Sequence, residues 1–289
     1  QPLGQRAENI AIKQTKQQAA RDIITGISEW RGNRIGTAKR RWIFELIQNA
    51  IDTAKARNTT SLKIQVYSQG NSLVFRHNAG YFTLEELDAV IYGGSSKPFT
   101  PDSEYIGRFG TGFLVSHVVS AIVKVSGTID DQGKLESFEF ILDRRTDSID
   151  ELSDRISNCF QQLNQAQPQQ RSVEYWTEFV YDLSNEDEKN AVDVGFQELE
   201  KNIPFLFAFN EISEIYINES VYRKTIEYCN DLCWVSIDDR TVVVKKNLET
   251  LVSVGILIDK NTIVDLKQFP KIFIAIPLVK SADFMDVPF

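Results

Sequence analysis

Apolar positions along the chain follow two periods, and each period predicts a kind of element. In "RRWIFELIQNAIDTAKARN" (40–58), Ile43, Leu46, Ile47, Ala50 and Ala54 recur at helical spacing. A Gln- and Lys-rich stretch, 6–30, carries Ile10, Ile12, Ile23, Ile24 and Ile27 and reads as a polar helix that ends at "RGNRIG". Alternation takes over in "SLKIQVYS" and "NSLVFRH", a hairpin divided at Gln69-Gly70. Thr83, followed three residues later by Glu86, has the capping-box pattern at the start of a helix, "TLEELDAVIY". "LVSHVVS" reads as a short apolar helix, "AIVKVSG", "LESFEFIL" and "SVEYWTEFVYDLS" as strands, and "NEDEKNAVDVGFQELEKNI" as a helix before the strand "EIYI". From Val221 onward "TVVVKK", "LVSVGILI" and "KIFIAIPLV" are strands. Residues 143–171 are polar and partly Gln-rich, and read as a mobile surface excursion. Antiparallel strands interleaved with helices predict an α+β sandwich, with helices over one face of a mixed sheet.

The helix at 40–58 is interrupted by Glu45, Asn49 and Asp52. At about 100° per residue, Asn49 lies about 40° from Glu45 and Asp52 about 20° to the other side, on one line roughly opposite the apolar stripe. That line is either a solvated face or a face with a task. A second candidate is "GRFGTGF", with Gly107, Gly110 and Gly112 spaced GxxGxG after a loop. Glycines so spaced let backbone amides approach an anion, and a following helix offers it a positive end. Equally, such turns often only cap or pack.

Composition narrows the setting. The chain has 289 residues, 42% apolar and 25% charged, with a net charge of -8, so it is a globular protein without a broad nucleic-acid or anionic-membrane footprint. Three cysteines (Cys159, Cys229, Cys233) without framework spacing fit a reducing, cytoplasmic setting, and two distant histidines argue against zinc. No apolar run approaches the ~20 residues of a membrane span. The first residues lack a signal pattern and an initiating Met, and with the end at "MDVPF" the chain reads as part of a longer protein.

The order of these features is more specific than any one of them. An ExxxNxxD helix, a hairpin with a polar turn, a "GSSK" loop and then GxxGxG opening a helix resemble the GHKL superfamily of ATPases, from about Ile35 to Ile217. "IGRFGTGFLVSHVVS" is similar to the glycine box of the ninety-kilodalton heat-shock branch, and "HNAG" with "GSSK" has the flavour of sacsin-type proteins. The resemblance implies a Bergerat fold, a two-layer sandwich with a mobile lid, that binds ATP and Mg²⁺. It implies a helical extension at 1–34, the ATP-binding domain at 35–217, and a β-rich extension or following domain at 218–289. Glu45 would be the general base toward the γ-phosphate and Asn49 the Mg²⁺ ligand, with Asp52 either facing the nucleotide or standing behind the groups that do. Gly107, Gly110, Thr111, Gly112 and Phe113 would line the phosphates. Lys97 would be a lid cation, Gly93 and Gly94 its hinge, and Thr177 a hydrogen-bonding group near adenine.

The family's second box, Asp-x-Gly-x-Gly, is altered here: its Asp position falls on His77 or, shifted by one, on Asn78, and neither is a carboxylate. Either could accept the adenine amino proton, while His77 could equally just end its strand. His117 and "FLFAF" (205–209) read as core, and "NEDEKN" as a solvated helix start. The leading expectation is slow ATP hydrolysis that drives conformational change in a larger chaperone-like or sensor protein, with nucleotide-dependent self-association and a protein client or downstream domains as partners. A nucleotide switch without hydrolysis is the alternative. A histidine- or mitochondrial-type protein kinase and a MutL-type DNA clamp are weaker readings.

Overall fold

The computed structural model describes residues 2–93, 111–169, 177–246, 253–264, 273–274 and 276–277. Two long helices come first, α1 (Leu3–Arg31) and α2 (Ile35–Ala56), separated by a turn in which Gly32 caps α1. The hairpin β1 (Leu62–Gln69) and β2 (Ser72–His77) turns at Gly70-Asn71, one residue later than the sequence pattern predicts. Helix α3 (Leu84–Tyr92) starts with the full capping box between Thr83 and Glu86, and Gly93 closes it in the left-handed conformation. After α4 (Thr111–Val115) and a 3-10 turn (Ser116–Val118) come β3 (Ile122–Asp131), β4 (Lys134–Asp143), α5 (Ile149–Leu163), β5 (Gln167–Pro168), β6 (Thr177–Asp182), α6 (Glu186–Phe209), β7 (Ile212–Ile217) and β8 (Ser220–Arg223).

Strands β1–β8 form an eight-stranded sheet in the order β5-β4-β3-β6-β2-β1-β7-β8, antiparallel except for the β1–β7 pair. Register puts Ile64, Phe75, His77, Thr177, Phe179, Val125 and Phe140 on one face, all buried, and Gln65, Arg76, Glu178, Lys124 and Glu139 on the other. On the outer face, Arg76 pairs with Glu178 and Lys124 with Glu139, as expected of a side that meets water. Residues of α1, α2, α3, α5 and α6 join the inner face in one continuous core. The molecule is therefore a two-layer α+β sandwich on a mixed, mostly antiparallel sheet. A second, five-stranded antiparallel sheet, β9 (Thr225–Cys229), β10 (Leu232–Ile237), β11 (Arg240–Lys246), β12 (Ser253–Asp259) and β13 (Thr262–Ile263), packs on the end of α6 through Phe205, Val242, Val244 and Leu257. Two short strands, β14 (Phe273–Ile274) and β15 (Ile276–Pro277), form a separate pair. Among the described residues, no helix is long and apolar enough to cross a membrane.

Three expectations need correction. The polar stretch expected at 143–171 is, over its described residues 143–169, not a loose excursion. It holds α5, N-capped by Ser148, which buries Leu152, Ile156 and Cys159 against the core. Its apolar residues are few but share one face, a pattern hidden by the Gln-rich tail. Helix α6 does not stop at Ile203 but runs through Pro204 to Phe209, because Phe205, Leu206 and Phe207 gain more by burial than the turn loses at one proline. The helix after the glycines is only five residues long before it tightens to 3-10.

Helix α2 is held against α6 by one close fit. The Trp42 indole N–H donates to Ala191 O at 2.9 Å, and its fully buried ring fills the notch left by Gly195. A methyl group at 195 would overlap the indole. Gly195→Ala should therefore destabilise the fold by about 1–3 kcal/mol by overpacking, despite a gain of about 1 kcal/mol in helix propensity. Urea unfolding should show a lower midpoint at unchanged slope; a midpoint at or above that of the parent would refute the fit.

Candidate functional site

The charged line of α2 is not solvated. Glu45 and Asn49 are each 6% exposed and Asp52 is 1% exposed, inside a helix buried on nearly all sides from Trp42 to Ala54. Asp52 has partners in the fold. Glu45 Oε1 accepts from Arg41 Nε at 2.5 Å, one turn earlier, and the Thr53 hydroxyl donates to Asn49 O at 2.8 Å. Asn49 Nδ2 is buried, and among the described residues it has no hydrogen-bond partner. A buried amide nitrogen left unpaired costs about 1–3 kcal/mol, so it marks a place where something polar is missing.

Glu45 meets the glycine group directly: a Cβ built at Gly112 would collide with Glu45 Oε2. The carboxylate therefore lies against the Gly112 backbone, and a side chain at 112 would have to displace it. Gly112 sits inside the five-residue α4, where a short dipole adds little, so any anion held here would rely on close backbone approach rather than on a helix end. The Phe113 ring is fully buried against Phe179 and His117 and faces the core, leaving only its backbone for a ligand. Thr111 opens α4. Lys97, Gly94, Gly107 and Gly110 lie outside the described residues, as does the lid expected around them. Gly93 has a structural duty of its own: it caps α3 at φ +66°, with Ile23 of α1 2.8 Å from where a Cβ would stand. A cavity of about 720 Å³ opens between α1 and α2, lined by Glu45, Gln48 and Gly112 together with Trp30, Arg34 and Arg41. Asn49, His77 and Thr177 are not among its described lining residues.

At the sheet end of the site, His77 and Thr177 are register partners on the inner face, so the structure brings these two together, both almost fully buried. Burial pulls the His77 pKa down to about 3, so the ring is neutral. Ala79 N–H donates to its Nδ1 at 3.3 Å, which places the ring proton on Nε2. Asn78 is spent on the fold: its Oδ1 accepts from Lys63 N at 2.7 Å and its Nδ2 donates to Ser61 O at 3.1 Å, tying the end of β2 to the start of β1. Gly80, at φ +136°, leaves room for the Arg57 stem, whose Cγ would be 2.8 Å from a Cβ there.

Two arginines near the site have no warning in the sequence pattern. Arg41 was hidden among the basic residues that open the helix. Arg144, next to the exposed Arg145, is 5% exposed; its guanidinium donates to Val90 O at 2.8 Å and Ile91 O at 3.3 Å and bonds His117 Nε2 at 2.7 Å. Burial lowers its pKa to about 10, still cationic at neutral pH. It thus fastens the end of α3 to the turn after α4. His117, fully buried, donates from Nδ1 to Ser120 O at 2.9 Å, and burial first, then the Arg144 charge, hold its pKa well below 6.5.

Neither the protein-family models nor the curated proteins contain a match to this chain. Among solved structures, it is similar to the ATPase and transducer domains of DNA topoisomerase II from Balamuthia mandrillaris, at 16% identity and a TM-score of 0.43, over 73% of this chain and 56% of that one. The likeness is too distant to say anything of this chain's chemistry.

Both histidines are neutral in the fold, whereas in the unfolded chain they take up a proton below about pH 6.5. Stability should therefore be level above that pH and fall as pH drops from about 6.5 toward about 3. His77 alone should cost about 2 kcal/mol at pH 5, with His117 adding in the same direction. Urea unfolding at pH 7.5 and 5.0 reads this directly, and His77→Gln should flatten the slope; equal stability at both pH values would show that the rings are not buried as neutral groups.

Proposed function

We propose that the chain binds a Mg²⁺–nucleoside triphosphate, ATP by the family resemblance, and hydrolyses it slowly. The observation that carries this is the buried polar strip of α2: a carboxylate pressed on Gly112, with an amide nitrogen one turn further on that has no partner among the described residues. Those features fit the group. The Asn49 amide, turned end for end, would present its oxygen to a hard cation, and the missing Cβ at Gly112 gives the Glu45 carboxylate its place against the backbone. Bound Mg²⁺ would supply neutralisation of phosphate charge. Glu45, through Oε2, would take the proton of an attacking water, since Oε1 is held by Arg41. Gly112, with Gly107 and Gly110, would offer amides to the phosphates, and Lys97 a point charge. His77 and Thr177 would stand at the base, with Asp52 behind them. In this reading the nucleotide-binding domain is 35–217, and turnover drives rearrangement or self-association of a larger chaperone-like or sensor protein.

A switch that binds nucleotide without hydrolysing it is the second reading, and one observation favours it: Glu45 is already engaged by Arg41. Titration calorimetry with a non-hydrolysable ATP analogue beside a phosphate-release assay tests both. Glu45→Ala should keep analogue affinity within a few-fold and lose at least about a hundredfold in turnover, the usual scale of a general base. Asn49→Ala should lose the Mg²⁺-dependent part of binding. Undiminished turnover in Glu45→Ala would defeat the base assignment, and analogue binding without any release by the parent chain would select the switch.

A further inference from the structure

Resting on that reading of Glu45, we propose that Arg41 is an exchangeable cation. It is paired with the carboxylate while the site is free of nucleotide and passes to the terminal phosphate when a triphosphate enters the cavity between α1 and α2. Arg41 is a positioning residue in the first state and a phosphate ligand in the second.

Charge balance in the cavity is the first argument. Its described lining holds Arg21, Arg34 and Arg41 against Asp22, Glu29 and Glu45. Cations and acids are matched in number; Arg21 donates to Gln18, whereas Arg34 and Arg41 are each held by an acid, so a polyanion that draws on either of these two also frees a carboxylate. Arg34 is paired to Glu29 at 2.9 Å, with both side chains about half exposed, and that exchange would uncover a carboxylate of no use to the chemistry. Arg41 is paired to the one acid that lies against Gly112.

The geometry of the pair is the second argument. The Arg41 side chain is 45% exposed while that of Glu45 is 8% exposed, so the cation is the partner able to move. Among the described residues, only its Nε donates a hydrogen bond, leaving the paired terminal nitrogens for a bidentate contact of the kind phosphate favours. Release of Arg41 leaves the buried Glu45 carboxylate unpaired, a cost that the new phosphate contact has to offset. The Arg41 guanidinium also lies 5.9 Å from the Trp30 ring centre, beside Arg34 at 5.1 Å, so its departure leaves an optical trace. Trp30 belongs to α1, which makes that helix part of the site wall.

The test uses the whole chain with Mg²⁺, ADP and a slowly hydrolysed ATP analogue, read by calorimetry and tryptophan fluorescence. The parent should show a fluorescence change with the triphosphate and not with ADP, and Trp30→Phe should abolish it. Arg41→Ala should lose about tenfold in analogue affinity, the scale of a charge-assisted hydrogen bond, and keep its ADP affinity, which also reports an intact fold. Arg41→Lys should restore part of the loss. Equal loss for ADP and the analogue, or unchanged analogue affinity in Arg41→Ala, overturns the exchange while leaving the nucleotide site standing. Failure of the parent to bind either nucleotide overturns the site itself.

Discussion

Burial of α2 on almost every side is the constraint on which the rest of the structure turns. A helix with one wet face can carry charges there at little cost, but α2 has no such face between Trp42 and Ala54. Each polar group on it must find a partner in the protein or be completed by something that binds. The surroundings supply most of what is needed: Arg41 for Glu45, the Thr53 hydroxyl for a backbone carbonyl, and partners for Asp52. The Asn49 nitrogen is the gap in that set among the described residues.

Keeping the strip in register demands a rigid frame, and three close fits provide it. Trp42 in the Gly195 notch fixes α2 on α6, and Gly26 and Gly93 let α1 approach α4 and α3 closely, with Leu114 and Ile23 filling the spaces. Arg144 acts across the gap between α3 and the 3-10 turn, holding two carbonyls and an imidazole with one charge. A buried guanidinium with no carboxylate partner among the described residues is costly, and it persists here because carbonyl dipoles at a helix end and a neutral imidazole share its charge. Arg31 adds a tie from α1 to His117 O at 2.8 Å and to Glu188 at 3.3 Å, so α1 is braced at the same point.

Much of this was legible where local rules act alone. The Thr83–Glu86 capping box, the β1–β2 hairpin and the two faces of the sheet follow from period and turn chemistry, and the structure has them within a residue. Reading failed where distant contacts decide. Nothing local distinguishes Arg144 from Arg145, yet one is buried and the other pairs with Asp143 at the surface. Pro204 looks like a helix end until three apolar residues after it find the core. Of the site, spacing put Glu45, Asn49 and Asp52 on one line and only the family resemblance joined that line to Gly112, while that Asn78 would be consumed by β1 depends on sheet closure. Arg41 was invisible because a basic residue at a helix start has an ordinary explanation, solvation.

Two ordinary explanations compete with a ligand for the strip of α2. A solvated face is ruled out by exposures of 6% or less. The other is a polar network kept for specificity of packing, as buried ion pairs sometimes are. Such a network works when every member is satisfied; a half-satisfied one costs more than an apolar replacement. Leucine at 49 would remove a nitrogen unpaired among the described residues, worth about 1–3 kcal/mol of destabilisation, and alanine at 45 would remove a buried carboxylate and the close contact at Gly112. A sequence shaped by stability alone has no reason to hold all three. The proposed polar ligand would account for glutamate, asparagine and glycine together, since it would complete the amide beside the carboxylate.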